Sequence, residues 1–368
     1  MDKIVKTILN LAALSATKFP VGLQLHMEDV IRTIKYKSTE VCMIAIRGQE
    51  GSGKTTLAKA IYHQIHGTFT EKSFIEGIGQ FSGIRGDLRL LEKLLSDVLK
   101  TKVKTDSFEM GRSMIRERLS GKRVFIVLDD VPEFNGQLLW ECRHWLGGGS
   151  VIIITTRPDN LVRIYKADSV LRVKLMNANE SLELLSWHAF REAKPKQEYR
   201  VLPKRVVSYC GGLPLVLEVM GSYLYERTKD EWNRVVLRLD SIPHPRYYVL
   251  WKLKISFDGL SNQMEKDLFL DVCCSFVGKS RTYVRKILNG CGIDADSGIR
   301  VLIKHSLIQI NKNNKLIMHP LLREMGREII RQISGKEPEN SISKLWFDKD
   351  ERYSLSENTV RTSFYLWF

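Results

Sequence analysis

The sequence predicts three regions in succession: an α/β domain with a parallel sheet, an all-α helical segment, and a small unit of three helices closed by a β-hairpin. Three observations carry this. Short apolar runs alternate with helical patterns over the first two-fifths of the chain, helix follows helix after about residue 175, and two brief strand-like runs flank the turn-like Asn311-Lys312-Asn313-Asn314. Strands spaced by helices imply a parallel sheet covered on both faces.

Residues 41–46 are an apolar run ending in a glycine loop, which reads as a buried parallel strand, and residues 54–66 follow as a helix. Residues 73–78, 123–128 and 151–155 are three more strand-type runs, with helical patterns at 88–99 and 108–119. Helices are then expected at 181–190, 204–210, 215–226 and 231–239, separated by Gly211-Gly212, Pro214 and Pro243/Pro245. From about residue 247 come helical patterns at 264–274, 282–288 and 299–305, strands at 307–310 and 315–318, and a last helix over 320–333. That outline is a winged helix. The expected division is 1–25 as N-terminal helix and linker, 26–174 as the α/β domain, 175–245 as the helical domain, 246–335 as the winged helix and 336–368 as a tail.

The start, with Lys3 and Lys6 before residues 8–16, imitates a leader, but Ile4, Ile8, Leu11 and Ser15 keep helical spacing and Asn10 interrupts the apolar stretch. An amphipathic helix is the better reading. No apolar run reaches about 18 residues, so no membrane span is expected. An apolar share of 43% and a charged share of 27% are those of a soluble globular protein. Lys and Arg outnumber Asp and Glu by 57 to 42, which favours polyanionic partners without choosing among nucleotide, nucleic acid and acidic membrane. Residues 300–331 hold seven of the cations (Arg300, Lys304, Lys312, Lys315, Arg323, Arg327, Arg331) and two acids, a pattern read first as a solvated basic face. The six cysteines (Cys42, Cys142, Cys210, Cys273, Cys274, Cys291) show no metal-type spacing and mostly sit in apolar runs, so reduced thiols are expected. His63 and His66 share a helix face with no third ligand in view and read as ordinary helix residues.

Gly48-Gln49-Glu50-Gly51-Ser52-Gly53-Lys54-Thr55 fits the phosphate-loop pattern G-x-x-x-x-G-K-[ST] between a strand and a helix. Glycines let backbone amides converge on an anion, and the following helix adds its positive dipole end. Lys54 is expected on the β/γ-phosphates and the Thr55 hydroxyl on Mg²⁺. The strand at 123–128 ends in Asp129-Asp130, where the first carboxylate completes the Mg²⁺ shell and the second orients or deprotonates a water. Arg157, at the end of Val151-Ile152-Ile153-Ile154-Thr155-Thr156, is either a reader of the γ-phosphate or a surface ion-pair partner.

These residues resemble the NB-ARC module of plant intracellular disease-resistance proteins, signal-transduction P-loop NTPases, particularly those with an N-terminal TIR domain. The likeness runs from Pro20-Val21-Gly22-Leu23 through the phosphate loop, Val127-Leu128-Asp129-Asp130-Val131, Thr155-Thr156-Arg157, residues 181–190, Gly212-Leu213-Pro214-Leu215 and residues 269–276 to Met318-His319 and residues 321–328. It implies three subdomains closing on one nucleotide, with ADP holding a resting form, ATP an active one, and ATP hydrolysis slow. It implies adenine contacts for Val21 and Gly22, phosphate and Mg²⁺ contacts for Gly51, Ser52, Gly53, Lys54, Thr55 and Thr56, and γ-phosphate sensing for Arg157. Pro214 would pack near base and ribose, and His319 would reach the β-phosphate. The implied partners are adenine nucleotide and other immune-receptor or signalling proteins, and the implied place is the cytoplasm, with the nucleus second. The residues before 20 and after 347 are too few for a TIR domain or leucine-rich repeats, so the sequence reads as the module without them.

Three departures from the family pattern stand out. Pro320 replaces the usual acid after Met-His, which removes a carboxylate able to cap the last helix and puts the ADP latch in question. Gly79 stands where the Phe-Ile-Glu segment usually reaches an arginine. Glu50 puts a negative charge in the phosphate loop, where its side chain can point outward, so a modest effect is expected. Two other functions fit the same sequence: a winged-helix AAA+-like ATPase handling DNA, and a truncated, non-signalling relative that only binds ADP.

Overall fold

The computed structural model describes residues 11–80, 84–132, 143–157, 167–199, 201–240 and 248–334. The chain divides into two compact units, residues 1–180 and 181–368. The first unit contains α1 (Gln24–Tyr36), β1 (Cys42–Arg47), α2 (Lys54–Ile65), β2 (Glu71–Ile75), α3 (Ile84–Leu99), α4 (Phe108–Leu119), β3 (Val124–Leu128), β4 (Val151–Thr156) and β5 (Ser169–Arg172). The five strands form one parallel sheet in the order β2-β3-β4-β1-β5.

The apolar runs become strands because both faces of each carry hydrophobic side chains, and only a sheet covered on both sides buries them all. On β1, Met43 and Ala45 enter a core with Leu90, Leu91, Leu94 and Leu95 of α3 and with Ile115 and Leu119 of α4. The intervening Cys42, Ile44 and Ile46 enter the opposite core, with Met27 and Val30 of α1 and with Leu57, Ala58 and Ile61 of α2. β3 repeats the alternation: Val124, Ile126 and Leu128 join the first core, and Phe125 and Val127 the second. The register sets Ile46 of β1 beside Thr155 of β4 and Leu128 of β3 beside Ile154. The carboxyl ends of the three central strands therefore share one edge, where ligands collect in open α/β sheets.

Two local differences from the sequence reading have physical causes. The second strand was expected over 73–78 but ends at Ile75, because the amides of Ile78 and Gly79 donate to the carbonyls of Asp129 and Asp130 (2.9 and 2.8 Å). Residues 78–80 thus wrap the end of β3 as a short 3-10 turn. β5 was not foreseen. It is a four-residue edge strand with every second residue exposed, too short to show a pattern. What holds it is the preceding Asp168, whose carboxylate accepts from the Met43 amide (2.8 Å), Lys37 (2.9 Å) and Arg143 (2.7 Å). Burial alone would raise the Asp168 pKa; the Met43 amide and the two cations outweigh it and hold it below the usual value.

The second unit contains most of α5 (Ala178–Phe190), then α6 (Leu202–Cys210), α7 (Pro214–Leu224), α8 (Lys229–Asp240), α9 (Tyr248–Asp258), α10 (Gln263–Asp271), α11 (Arg281–Gly290), α12 (Ala295–Lys304), β6 (Gln309–Ile310), β7 (Leu316–Ile317) and α13 (Pro320–Ser334). Its helical part packs around the fully buried Trp232, on which Phe190 stacks at 5.3 Å with planes 12° apart. α10, α11 and α12, the antiparallel β6–β7 hairpin and α13 make the winged helix, with Leu268, Ile299, Leu302, Leu316 and Met325 in its interior. The helix expected over 264–274 gives way after Asp271 to a wider π-type turn over Val272–Phe276. No helix among the described residues is long and apolar enough to cross a membrane. Cys142, Pro243, Pro245, the first ten residues and the tail 336–368 lie outside the described residues.

Candidate nucleotide site

The loop between β1 and α2 turns because Gly51 and Gly53 take left-handed backbone conformations, φ +78° and +93°. Any residue with a Cβ pays about 1–2 kcal/mol there. Lys54 opens α2 and is only 8% exposed, yet its ammonium donates to two main-chain carbonyls of its own loop, Gly48 O (2.8 Å) and Gln49 O (3.0 Å). Burial, aided by the Arg157 charge, lowers its pKa from 10.5, against the pull of Asp130, Glu50 and Asp129. The buried Ser52 hydroxyl has no hydrogen-bond partner among the described residues. A desolvated cation and an orphaned hydroxyl beside convergent glycine-rich backbone fit a bound polyphosphate.

Asp129, one residue past the end of β3, is 4% exposed, and its Oδ1 accepts from Thr55 (2.8 Å) and Thr155 (2.6 Å). Burial raises its pKa, while the Thr155 and Thr55 hydroxyls lower it. A buried carboxylate touching the hydroxyl of the phosphate-loop threonine fits Mg²⁺, which Thr55 and Asp129 would hold and which would supply charge at the phosphates. Asp130 adopts φ +58°. Its amide donates to Thr155 Oγ1 (2.9 Å), its carbonyl accepts from Gly79 (2.8 Å), and its two carboxylate oxygens take Arg157 Nε and Nη2, both at 3.1 Å.

The first unit thus brings the loop residues 51–56 together with Asp129, Asp130 and Arg157, and it also contains the turn with the buried Val21 and with Gly22. Pro214, first residue of α7, and His319, just before α13, belong to the second unit. The Glu50 carboxylate, with its side chain 23% exposed, lies 3.1 Å from Arg157 Nη1. Gly79 has a reason of its own: an added Cβ would stand 3.0 Å from Asp130 Oδ2 and 3.2 Å from Asp130 O, so a larger side chain would displace Asp130. Thr155 was missed as a functional residue. Its single hydroxyl joins Asp129 to the Asp130 amide, and its only signal in the sequence is a threonine at the end of a strand that proves to lie beside β3.

A phosphate loop after β1, with a carboxylate from the end of β3, across β4 in the sheet, on the loop threonine, defines a P-loop NTPase domain. Residues 23–194 match the NB-ARC domain, and residues 262–334 match the winged-helix domain of Roq1-like disease resistance proteins. The chain thus carries an NB-ARC domain and a winged-helix domain of the disease-resistance type. It is 42% identical over 340 residues to disease resistance protein RUN1 of Vitis rotundifolia, covering 91% of this chain and 25% of that protein. It is 33% identical to TMV resistance protein N of Nicotiana glutinosa over 345 residues, 92% of this chain and 30% of that protein. The chain therefore spans about a quarter of the length of the curated relatives it matches. Among solved structures, a signal-transduction ATPase with a tetratricopeptide repeat sensor from Pyrococcus horikoshii superposes with TM-score 0.51 at 17% identity, over 84% of this chain and 45% of that one; this likeness shows the fold alone.

Proposed function

We propose that this chain is an adenine-nucleotide switch of plant immune signalling, resting with ADP and active with ATP. The observation that carries the reading is the 2.8 Å contact between Thr55 and Asp129 beside the buried Lys54, the arrangement a Mg-polyphosphate requires. The resistance proteins among the relatives support the immune context. In this reading Val21 and Gly22 contact adenine, Gly51 to Thr56 hold the phosphates, and Thr55 and Asp129 hold Mg²⁺. Arg157 reads the γ-phosphate, Pro214 packs near base and ribose, and His319 reaches the β-phosphate from the winged helix. A nucleotide shifts such an equilibrium only by its difference in affinity for the two forms.

Asp130 is the candidate base for hydrolysis. Both of its oxygens are engaged by Arg157, so one must be released before it accepts a proton, which favours slow turnover. His319 Nδ1 accepts from the Leu321 amide at 3.1 Å. The imidazole therefore serves as the helix cap that an acid at Pro320 would supply. The proposed subdomain limits remain 26–174, 175–245 and 246–335, with a cytoplasmic or nuclear place and signalling proteins as partners. The basic segment 300–331 supports a solvated face more than a DNA-binding one: Lys304 pairs with Glu226, Arg331 with Glu328, and Arg323 donates to the Cys273 carbonyl.

Mass spectrometry of the native protein, paired with labelled-ADP binding in Mg²⁺, tests the proposal. Bound adenine nucleotide and saturable ADP binding that Lys54→Ala abolishes are expected. Protein that carries no nucleotide and takes up no ADP would overturn it.

A further inference from the structure

The Arg157 guanidinium is divided between two carboxylates. Nε and Nη2 fork onto Asp130, and the remaining Nη1 edge meets Glu50 Oε2 at 3.1 Å. Glu50 belongs to the phosphate loop itself, between Gln49 and Gly51, so the edge it occupies is the one facing the loop. Among the described residues, the charges of Arg157, Glu50, Asp129 and Asp130 are all felt at Lys54. Glu50 and Arg157 both keep contact with solvent, with side chains 23% and 47% exposed, so their pairing is exchangeable.

We propose that Glu50 is a specificity-determining residue that biases this site toward ADP by competing with the γ-phosphate of ATP for Arg157. The proposal rests on the nucleotide-switch reading above. A diphosphate held by the loop amides and Lys54 leaves the Glu50–Arg157 pair intact. A triphosphate reaching Arg157 must displace a carboxylate that is covalently tethered to the loop, and it brings further negative charge beside that carboxylate. The cost therefore falls on ATP and spares ADP. For a partly exposed pair the effect is about fivefold in relative affinity, corresponding to about 1 kcal/mol.

The test is calorimetric titration of the whole chain with Mg-ADP and with a hydrolysis-resistant Mg-ATP analogue. It compares the native protein, Glu50→Gln, Glu50→Ala, Arg157→Ala and the double variant Glu50→Gln/Arg157→Ala. Both Glu50 variants should keep ADP binding, which also reports that they fold, and should shift the preference toward the ATP analogue by about fivefold. In the Arg157→Ala background the Glu50 substitution should leave the preference unchanged. A ratio that does not move in either Glu50 variant, or that moves equally without Arg157, overturns the role given to Glu50 while leaving the switch intact. Failure of the native protein to bind either nucleotide overturns the switch, and this inference with it.

Discussion

Replacing Thr155 by valine removes one hydroxyl and nothing else of size, because the two side chains have nearly the same volume. Thr155 is 1% exposed, and its Oγ1 both donates to Asp129 (2.6 Å) and accepts from the Asp130 amide (2.9 Å). Losing a hydrogen bond to an ionised group costs about 1.5–3 kcal/mol, and the orphaned Asp130 N–H adds roughly 1–3. Some of this is shared, so about 3 kcal/mol is expected for the first unit, or roughly 6–12 °C of its melting temperature at about 2–4 °C per kcal/mol. Thr55→Val removes a donor from the same carboxylate oxygen, but from a half-buried helix start and without orphaning an amide, and should cost about 1 kcal/mol. Hydrogen exchange of the β3 and β4 amides reads the first unit by itself. The two variants should also part in function: Thr55→Val raises the Mg²⁺ concentration needed for nucleotide binding out of proportion to its small effect on stability. Equal stability losses in the two variants, or a Thr155→Val loss below about 1 kcal/mol, would refute the bridging role.

Further outcomes follow from the same geometry. Asp168→Asn should destabilise the first unit by about 2 kcal/mol at neutral pH, since it weakens one amide and two cation contacts. The native Asp168 pKa is depressed below 3.8, so its contribution is present above that value and lost as pH falls through it; urea titrations of the two proteins should converge in that range. Lys54→Ala should abolish the nucleotide-induced rise in melting temperature while leaving the unliganded protein nearly as stable, because the buried ammonium is a desolvation cost in the absence of an anion. In native protein, brief alkylation read by mass spectrometry should label the exposed Cys291 and spare Cys42 and Cys210 until unfolding, since burial pushes those two thiols up to about 11 and about 12.

Much of the fold and the centre of the site were legible along the chain because they rest on local patterns. Residues 41–46 and 124–128 announce buried strands by unbroken apolar character, and the spacing of Gly48, Gly53 and Lys54 encodes a loop whose backbone must curl. β5 escaped notice because an exposed four-residue edge strand buries too little to leave a signature, and its position depends on Asp168 meeting Met43, Lys37 and Arg143 from elsewhere in the chain. Glu50 hid its partner for a related reason. Its charge is visible in the sequence, but its direction depends on where β4 delivers Arg157.

Residue type and short-range spacing set most of the strand and helix succession and the phosphate loop, and they single out Lys54, Thr55 and Asp129 as its candidate chemical groups. That β4 lies between β3 and β1 is visible only in the folded chain. That order sets the Thr155 hydroxyl on Asp129 and folds Arg157 between Asp130 and Glu50. Hydrogen bonds and ion pairs act over about 3 Å in space whatever the separation along the chain, so side chains more than a hundred residues apart become partners only once the strand order is known.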